Sequence, residues 1–246
     1  MSYTIRPCET VQEFASCVVL QKQIWGYPDH EIYPARMFLN VSRSGGHVLG
    51  AFTSKGPMAG FVVSVPAWRK ERRFFHSLLL GVLPEHENQG LGRLLKIAQR
   101  KAALRAGIDY IEWSFDPLRA KNAYFNIVRL GAVVRRYCPD YYGPVLSKLQ
   151  RRLPSDRLIA EWPLKSPRVT KALGGKHPRP PGKAASAEVA IPLDLDTLVT
   201  RRSARAREWQ SYVRASLQDC FTRKLAITGF EKTDAEAWYL LDRYEN

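Results

Sequence analysis

The 246-residue sequence predicts an α/β (α+β) fold. Three observations carry this. Apolar runs of alternating character are interleaved with amphipathic helical stretches. Two of those runs flank a short Gly/Pro turn. A third runs through a loop with two glycines into a helix. Apolar residues make up 45% of the chain, enough for one sizeable core.

"YTIRPC" opens the chain as a strand, with Tyr3 and Ile5 on one face. Thr10 is placed to cap a helix over "VQEFASCVVLQKQIWG", closed by Gly26. "YPDHEIYPARMFLN" reads as a loop entering a short helix. "HVLGAFT" and "AGFVVSVPAW" flank "SKGP" as a hairpin, and "RRFFHSLLLGVLP" is a third strand ended by Pro84. In "ENQGLGRLLKIAQRKAALRAG", Leu91, Leu94, Leu95, Ala98 and Ala102 recur at helical spacing. Arg93, Lys96, Arg100 and Arg105 fall largely on other faces, and Gly107 ends the helix.

"IDYIEWSF" is the next strand. The helix after it, "DPLRAKNAYFNIVRLG", has Asp116 as expected N-cap, Pro117 in its first turn and Gly131 past its end. "AVVRRY" and "RLIAEWPL" are two more strands. From 165 to 186 the composition turns basic and rich in Pro and Gly, which reads as a flexible linker. The tail, 187–246, holds a strand ("EVAIPL"), a helix striped by Leu198, Ala206, Trp209, Val213, Leu217 and Cys220, and two strands ("LAITGF", "AWYLL"). So short a segment buries little alone, so it is expected to dock on the 1–164 domain or on a second subunit, as in a homodimer.

The charge is +15, from 38 Lys and Arg against 23 Asp and Glu, which suits acidic partners: nucleic acid, an anionic membrane or a phosphate-rich cosubstrate. No helix-turn-helix, zinc or RNP pattern appears, which argues against nucleic acid. No stretch approaches the roughly 20 apolar residues of a membrane span. Cys8, Cys17, Cys138 and Cys220 are scattered, and no histidine pair has ligand spacing, so reduced thiols in a cytoplasm and no metal are expected.

Gly90 and Gly92 lie where a loop enters a helix. Glycine admits close backbone approach, and a helix start offers unpaired N–H groups at a positive dipole end, so phosphate binds well there; a plain turn is the alternative. The order of Val82, Pro84, Glu87, Gly90 and Gly92, on a strand leading into an amphipathic helix, resembles the acetyl-CoA signature of the GNAT superfamily of N-acetyltransferases. The similarity covers residues 1–164. "WSFDPLRAKNAYFNIVRLGAV" and "PDYYG" are similar to a bacterial branch of predicted acetyltransferases of unknown substrate.

The resemblance implies a mixed, mostly antiparallel sheet with splayed central strands, and acetyl-CoA or another acyl-CoA as cosubstrate. The strand of Leu80–Leu83 would part from that of Ile111–Ser114. The pantetheine arm would bond the backbone of Gly81, Val82 and Leu83. The pyrophosphate would sit on the N–H groups of Asn88, Gln89, Gly90, Leu91, Gly92 and Arg93, with Lys96 and Arg100 toward the remaining phosphate. Asn122 and Asn126, four apart on one helix, would face the arm; surface polarity is the alternative. The family's usual Arg or Gln is Glu87 here, and its thiolate-protonating tyrosine falls on Ile127. Tyr124, one turn earlier, takes that role, or no protein acid does.

Attack on a thioester needs a neutral amine, hence a base working near neutrality. His76 is the first candidate, since imidazole titrates at about 6.5, with a hydrogen-bonded core histidine as the alternative. Glu112, on the neighbouring strand, is either a base acting through water or a paired structural charge. Tyr137, Tyr141, Tyr142, Trp25 and Tyr27 border the acceptor side that the resemblance implies, where they recognise a substrate or simply pack. No cysteine lies in the signature, so direct attack by a small-molecule or peptide amine in a ternary complex is the expected reaction. The rivals are an acyl-CoA sensor of the same fold without chemistry, and a nucleic-acid-binding protein.

Overall fold

The computed structural model describes residues 2–143, 153–179, 184–193, 195–200, 204–234 and 236–244. They fall into two compact units, and the chain passes from the first to the second between Glu112 and Trp113.

The first unit begins with β1 (Tyr3–Pro7), helix α1 (Val11–Trp25) and helix α2 (Ala35–Arg43). α1 starts at a complete capping box. Thr10 Oγ1 accepts from the Glu13 amide (3.2 Å), while Glu13 Oε2 accepts from the Thr10 amide (3.2 Å). It ends at Gly26, whose φ of 62° closes the helix. β2 (His47–Thr53), β3 (Met58–Arg69) and β4 (Arg72–Val82) follow as an antiparallel meander, with β1 antiparallel to β2 on its outer edge. The short 3-10 turn Pro84–His86 leads to α3 (Leu91–Arg105), and then comes β5 (Tyr110–Phe115). β5 pairs with β4 in parallel, at Phe75↔Ile111 and His76↔Glu112. The sheet is therefore mixed and mostly antiparallel, as the resemblance implied.

Two apolar layers cover its faces. Phe14, Cys17, Leu20, Phe38 and Val41 of α1 and α2 bury Phe61, Val63 and Val65 on one side. Leu91, Leu95 and Ala102 of α3 bury Leu49, Ala51 and Val62 on the other. Residues alternating along each strand feed the two layers in turn.

In the second unit, α4 (Ala120–Ala123) runs into a π-helical turn, Tyr124–Arg129, and then β6 (Val133–Cys138) and β7 (Arg157–Pro163). Asp116 does not cap a helix as expected. Its Oδ1 accepts from the Leu118 amide (2.8 Å) in a local turn, and α4 begins after Arg119. Within the stretch expected to be linker lies α5 (Pro167–Leu173), capped by Ser166 Oγ, with Val169 and Ala172 buried. β8 (Ala187–Ile191), α6 (Leu195–Thr200), α7 (Ala204–Thr222), β9 (Leu225–Lys232) and β10 (Ala237–Arg243) complete the unit. β9 pairs with β6 at Val134↔Ile227, so the C-terminal strands extend the sheet of β6 and β7. No helix among the described residues is long and apolar enough to cross a membrane.

Candidate active site

β4 is two strands in one. Its first half is paired on both edges, to β3 and β5. Its register with β3 then slips: Ser64 faces Ser77 but Val63 faces Leu79, leaving Leu78 as an extra residue. Such a bulge bends a strand and increases its twist. It falls immediately after His76, the last β4 residue paired with β5. From Ser77 to Val82 β4 has only β3 as ladder partner among the described residues. Gly81 is needed where α1 crosses this half, because a Cβ there would lie 2.8 Å from Ile24 and 3.0 Å from Trp25.

The loop that follows is held in an unusual shape. Asn88 has φ 59° and Gly90 φ 80°, both left-handed. Gly90 is the N-cap of α3, no side chain caps that helix start, and a Cβ on Gly90 would meet nothing within 4 Å. At Gly90 the loop borders open space. It is anchored from behind by Tyr3, whose hydroxyl donates to Gln89 Oε1 (3.0 Å) and lies 2.9 Å from His86 Nδ1. Glu87 is exposed in the same loop.

Lys96 is not directed at a phosphate. It is buried, with 1% of its surface exposed, and donates to Gln99 Oε1 (2.7 Å), with Ser77 Oγ 3.4 Å away. Gln99 Nε2 donates to the same Ser77 Oγ (2.9 Å). Burial pushes the Lys96 amine well below its ordinary pKa. The three residues fasten α3 to β4 at the bulge. Lys96 and Gln99 extend the Leu91–Leu95–Ala102 stripe, and that position was the available signal for their burial.

His76 shares a rung with Val65, and so faces the side of α1 and α2. Its Nδ1 is 3.8 Å from Glu112 Oε1 and its side chain is one-fifth exposed. Glu112 is held in a fork by Arg69, whose Nη1 and Nη2 donate to Oε2 (2.8 Å) and Oε1 (2.6 Å). Arg69 in turn rests over the Phe74 ring at 4.9 Å. Sequence reasoning missed Arg69, which sits in a basic run at the hairpin with no periodicity to mark it. Beside this cluster α2 and the end of β3 enclose a groove of about 630 Å³, lined in part by Val65.

Of the other sequence candidates, Trp25 and Tyr27 lie together in the first unit, with ring centres 5.7 Å apart, and the rest lie in the second. Asn122 is exposed, while Asn126 is buried and accepts from Trp113 Nε1 (3.2 Å), so the two do not share an environment. The π turn between them breaks the expected spacing. Tyr124 is half-buried with Lys232 Nζ 5.8 Å from its ring centre, and Ile127 is fully buried. Tyr137 donates to Asp156 Oδ2 (2.5 Å), and Tyr142 pairs with Ser114 (2.7 Å).

The fold as a whole is similar to that of solved acetyltransferase structures. A chain of the NatC complex bound to Gag peptide and CoA superposes with TM-score 0.53 and 15% identity, over 66% of this chain and 99% of that one. The ribosomal-protein-S18-alanine N-acetyltransferase of Escherichia coli gives 0.52 and 16%, over 67% and 96%. A GNAT-family acetyltransferase from Streptococcus pneumoniae gives 0.52 and 17%, over 65% and 98%. The chain has the GNAT acetyltransferase fold. No family model matches the sequence, and no curated protein does.

Proposed function

We propose that the chain is an acyl-CoA-dependent N-acyltransferase of the cytoplasm, moving an acetyl or related acyl group to an amine by direct attack. The scattered spacing of its four cysteines, with no CxxC pair, supports a reducing compartment. The observation that carries the reading is the continuity of β4: base candidate, bulge, strand half paired on one edge, left-handed loop and uncapped helix follow one another along a single segment.

Each part has a role. The backbone of Gly81, Val82 and Leu83 bonds the amides of the pantetheine arm. The N–H groups of Asn88 to Arg93 receive the pyrophosphate with the helix dipole behind them. His76 takes the proton as the amine nitrogen bonds to the thioester carbon; the C–S bond breaks and CoA leaves as thiolate. Glu112, fixed by Arg69, stabilises His76 once it is charged. Tyr124, Asn122 and Asn126 carry no step here, and solvent protonates the thiolate.

The test is thioester consumption across a panel of amines, with His76→Gln beside the wild type. The variant should lose about 10²–10⁴-fold in rate and lose the pH inflection of kcat/KM, while still binding acetyl-CoA. A folded variant with wild-type rate and profile would remove His76 from the mechanism. Exposed Glu87 and buried Ile127 favour a second reading, an acyl-CoA sensor. Tight acetyl-CoA binding with no amine consumed would decide for it.

A further inference from the structure

The groove beside His76 holds a cation without a counter-ion. α2 contributes Arg36, Met37, Asn40 and Val41, and β3 contributes Val65, Pro66 and Trp68. Among the described residues the side chains of Arg36 and Asn40 have neither an ion-pair nor a hydrogen-bond partner. No acidic residue lines the groove, and α2, with Arg36 and Arg43, carries none. Trp68 is 66% exposed, and Pro34, Met37, Val41, Val65 and Pro66 supply the other apolar lining.

The edge of the sheet is open here too. Among the described residues the β2–β3 ladder ends at His47↔Ser64, whereas β3 continues to Arg69 with β4 as its one ladder partner. Backbone groups of the last β3 residues are thus available to a ligand carrying amides. Val65, on that open stretch, is directly opposite His76, and side chains on one rung lie about 5 Å apart at Cβ. A molecule covering the Val65 side chain in the groove, on the face that Val65 shares with His76, therefore has its near end toward the base candidate.

Resting on the transferase function proposed above, we infer that this groove selects the acceptor: a small amine bearing an apolar body and a carboxylate, of amino-acid or dipeptide size. Arg36 takes the carboxylate in a charge-assisted pair, with Asn40 beside it. Trp68, Met37 and Val41 take the body. A volume of about 630 Å³ is ample for a dipeptide and lies in the usual range of small-molecule sites.

The test uses matched pairs: phenylalanine against phenethylamine, leucine against isoamylamine, and the dipeptide Phe-Ala against its C-terminal amide. Wild-type kcat/KM should favour the carboxylate member of at least one pair, and Arg36→Gln should collapse that preference by about ten- to a hundredfold. Arg36→Lys should restore part of it. The amino-acid and dipeptide arms separate the two sizes. Amines consumed without preference for the carboxylate, or a preference that survives Arg36→Gln, would overturn the inference and leave the transferase intact. Calorimetry of the same compounds without acyl-CoA reads the groove independently of chemistry. Phe-Ala binding lost in Arg36→Gln supports the assignment even if no acyl group is transferred; no binding of any carboxylate member, together with no turnover preference, ends it.

Discussion

Helices α1 and α3 are each 15 residues long and cover opposite faces of one sheet, yet their N-termini are finished in opposite ways. α1 satisfies its own donors. Thr10 and Glu13 close a capping box, and the Arg6 guanidinium on Glu13 holds that carboxyl down to about 2. Its buried polar residue, Gln21, is answered by the Tyr33 backbone at 3.0 Å on both sides. α3 starts from a left-handed glycine with no side-chain cap, and its buried polar residues reach across to β4. The first start is complete without a ligand. The second starts with no side-chain cap beside open space at Gly90, the kind of end at which amide donors and a positive dipole favour an anion. The polar tie behind it fixes that end relative to the half of β4 that is paired only with β3 among the described residues.

Removing the tie should have the largest effect. Lys96→Ala leaves Gln99 Oε1 without its amine and opens a cavity, and should cost about 2–4 kcal/mol in denaturant titration. Lys96→Met, which fills the space without charge, should cost far less. The pH dependence has a definite sign. Burial lowers the folded-state pKa of Lys96, so the unfolded chain binds more protons between that value and the ordinary one near 10.4. Wild-type stability should therefore rise with pH across that window relative to Lys96→Met. A flat difference would mean that Lys96 is not desolvated.

Thr10→Ala attacks the closed start. It should cost about 1 kcal/mol of stability and leave acetyl-CoA affinity unchanged. If acetyl-CoA affinity fell with it, the two helix starts would not be independent. The smallest effect belongs to Glu87, exposed in the loop ahead of α3. Glu87→Gln should tighten acetyl-CoA binding by about two- to fivefold, with the gain shrinking as salt is added.

Much of this frame was legible because local rules decide it. The strands at 47–53 and 110–115, the Thr10 cap, and the closing glycines Gly26, Gly107 and Gly131, each with φ near 70°, follow from periodicity and turn chemistry. What stayed hidden depends on pairing between segments. The bulge at Leu78 exists only as a register between β3 and β4, since Leu78 and Leu79 look like any apolar run. Lys96 reads as surface until Ser77 is placed beneath it. Asp116 followed by Pro117 is a sound helix-start pattern, but the Leu118 amide captured the carboxylate first. At the site, the glycines and His76 were visible as types in a pattern, whereas the Arg69 fork on Glu112 required the β3–β4 hairpin to be folded.

The central claim is that the open start of α3, fed by the half of β4 released from β5, binds the phosphates of an acyl-CoA. Its most direct test is the thermal shift on adding millimolar acetyl-CoA to the wild type and to Gly90→Val. Gly90 holds φ 80°, and its Cβ position points into unoccupied space, so valine both strains the loop and covers the amides. Ligand at 100 times its Kd should stabilise the wild type by about 2.7 kcal/mol, a rise of several degrees, with no rise in the folded variant. An unchanged wild-type melting temperature, or an equal rise in both proteins, would contradict it.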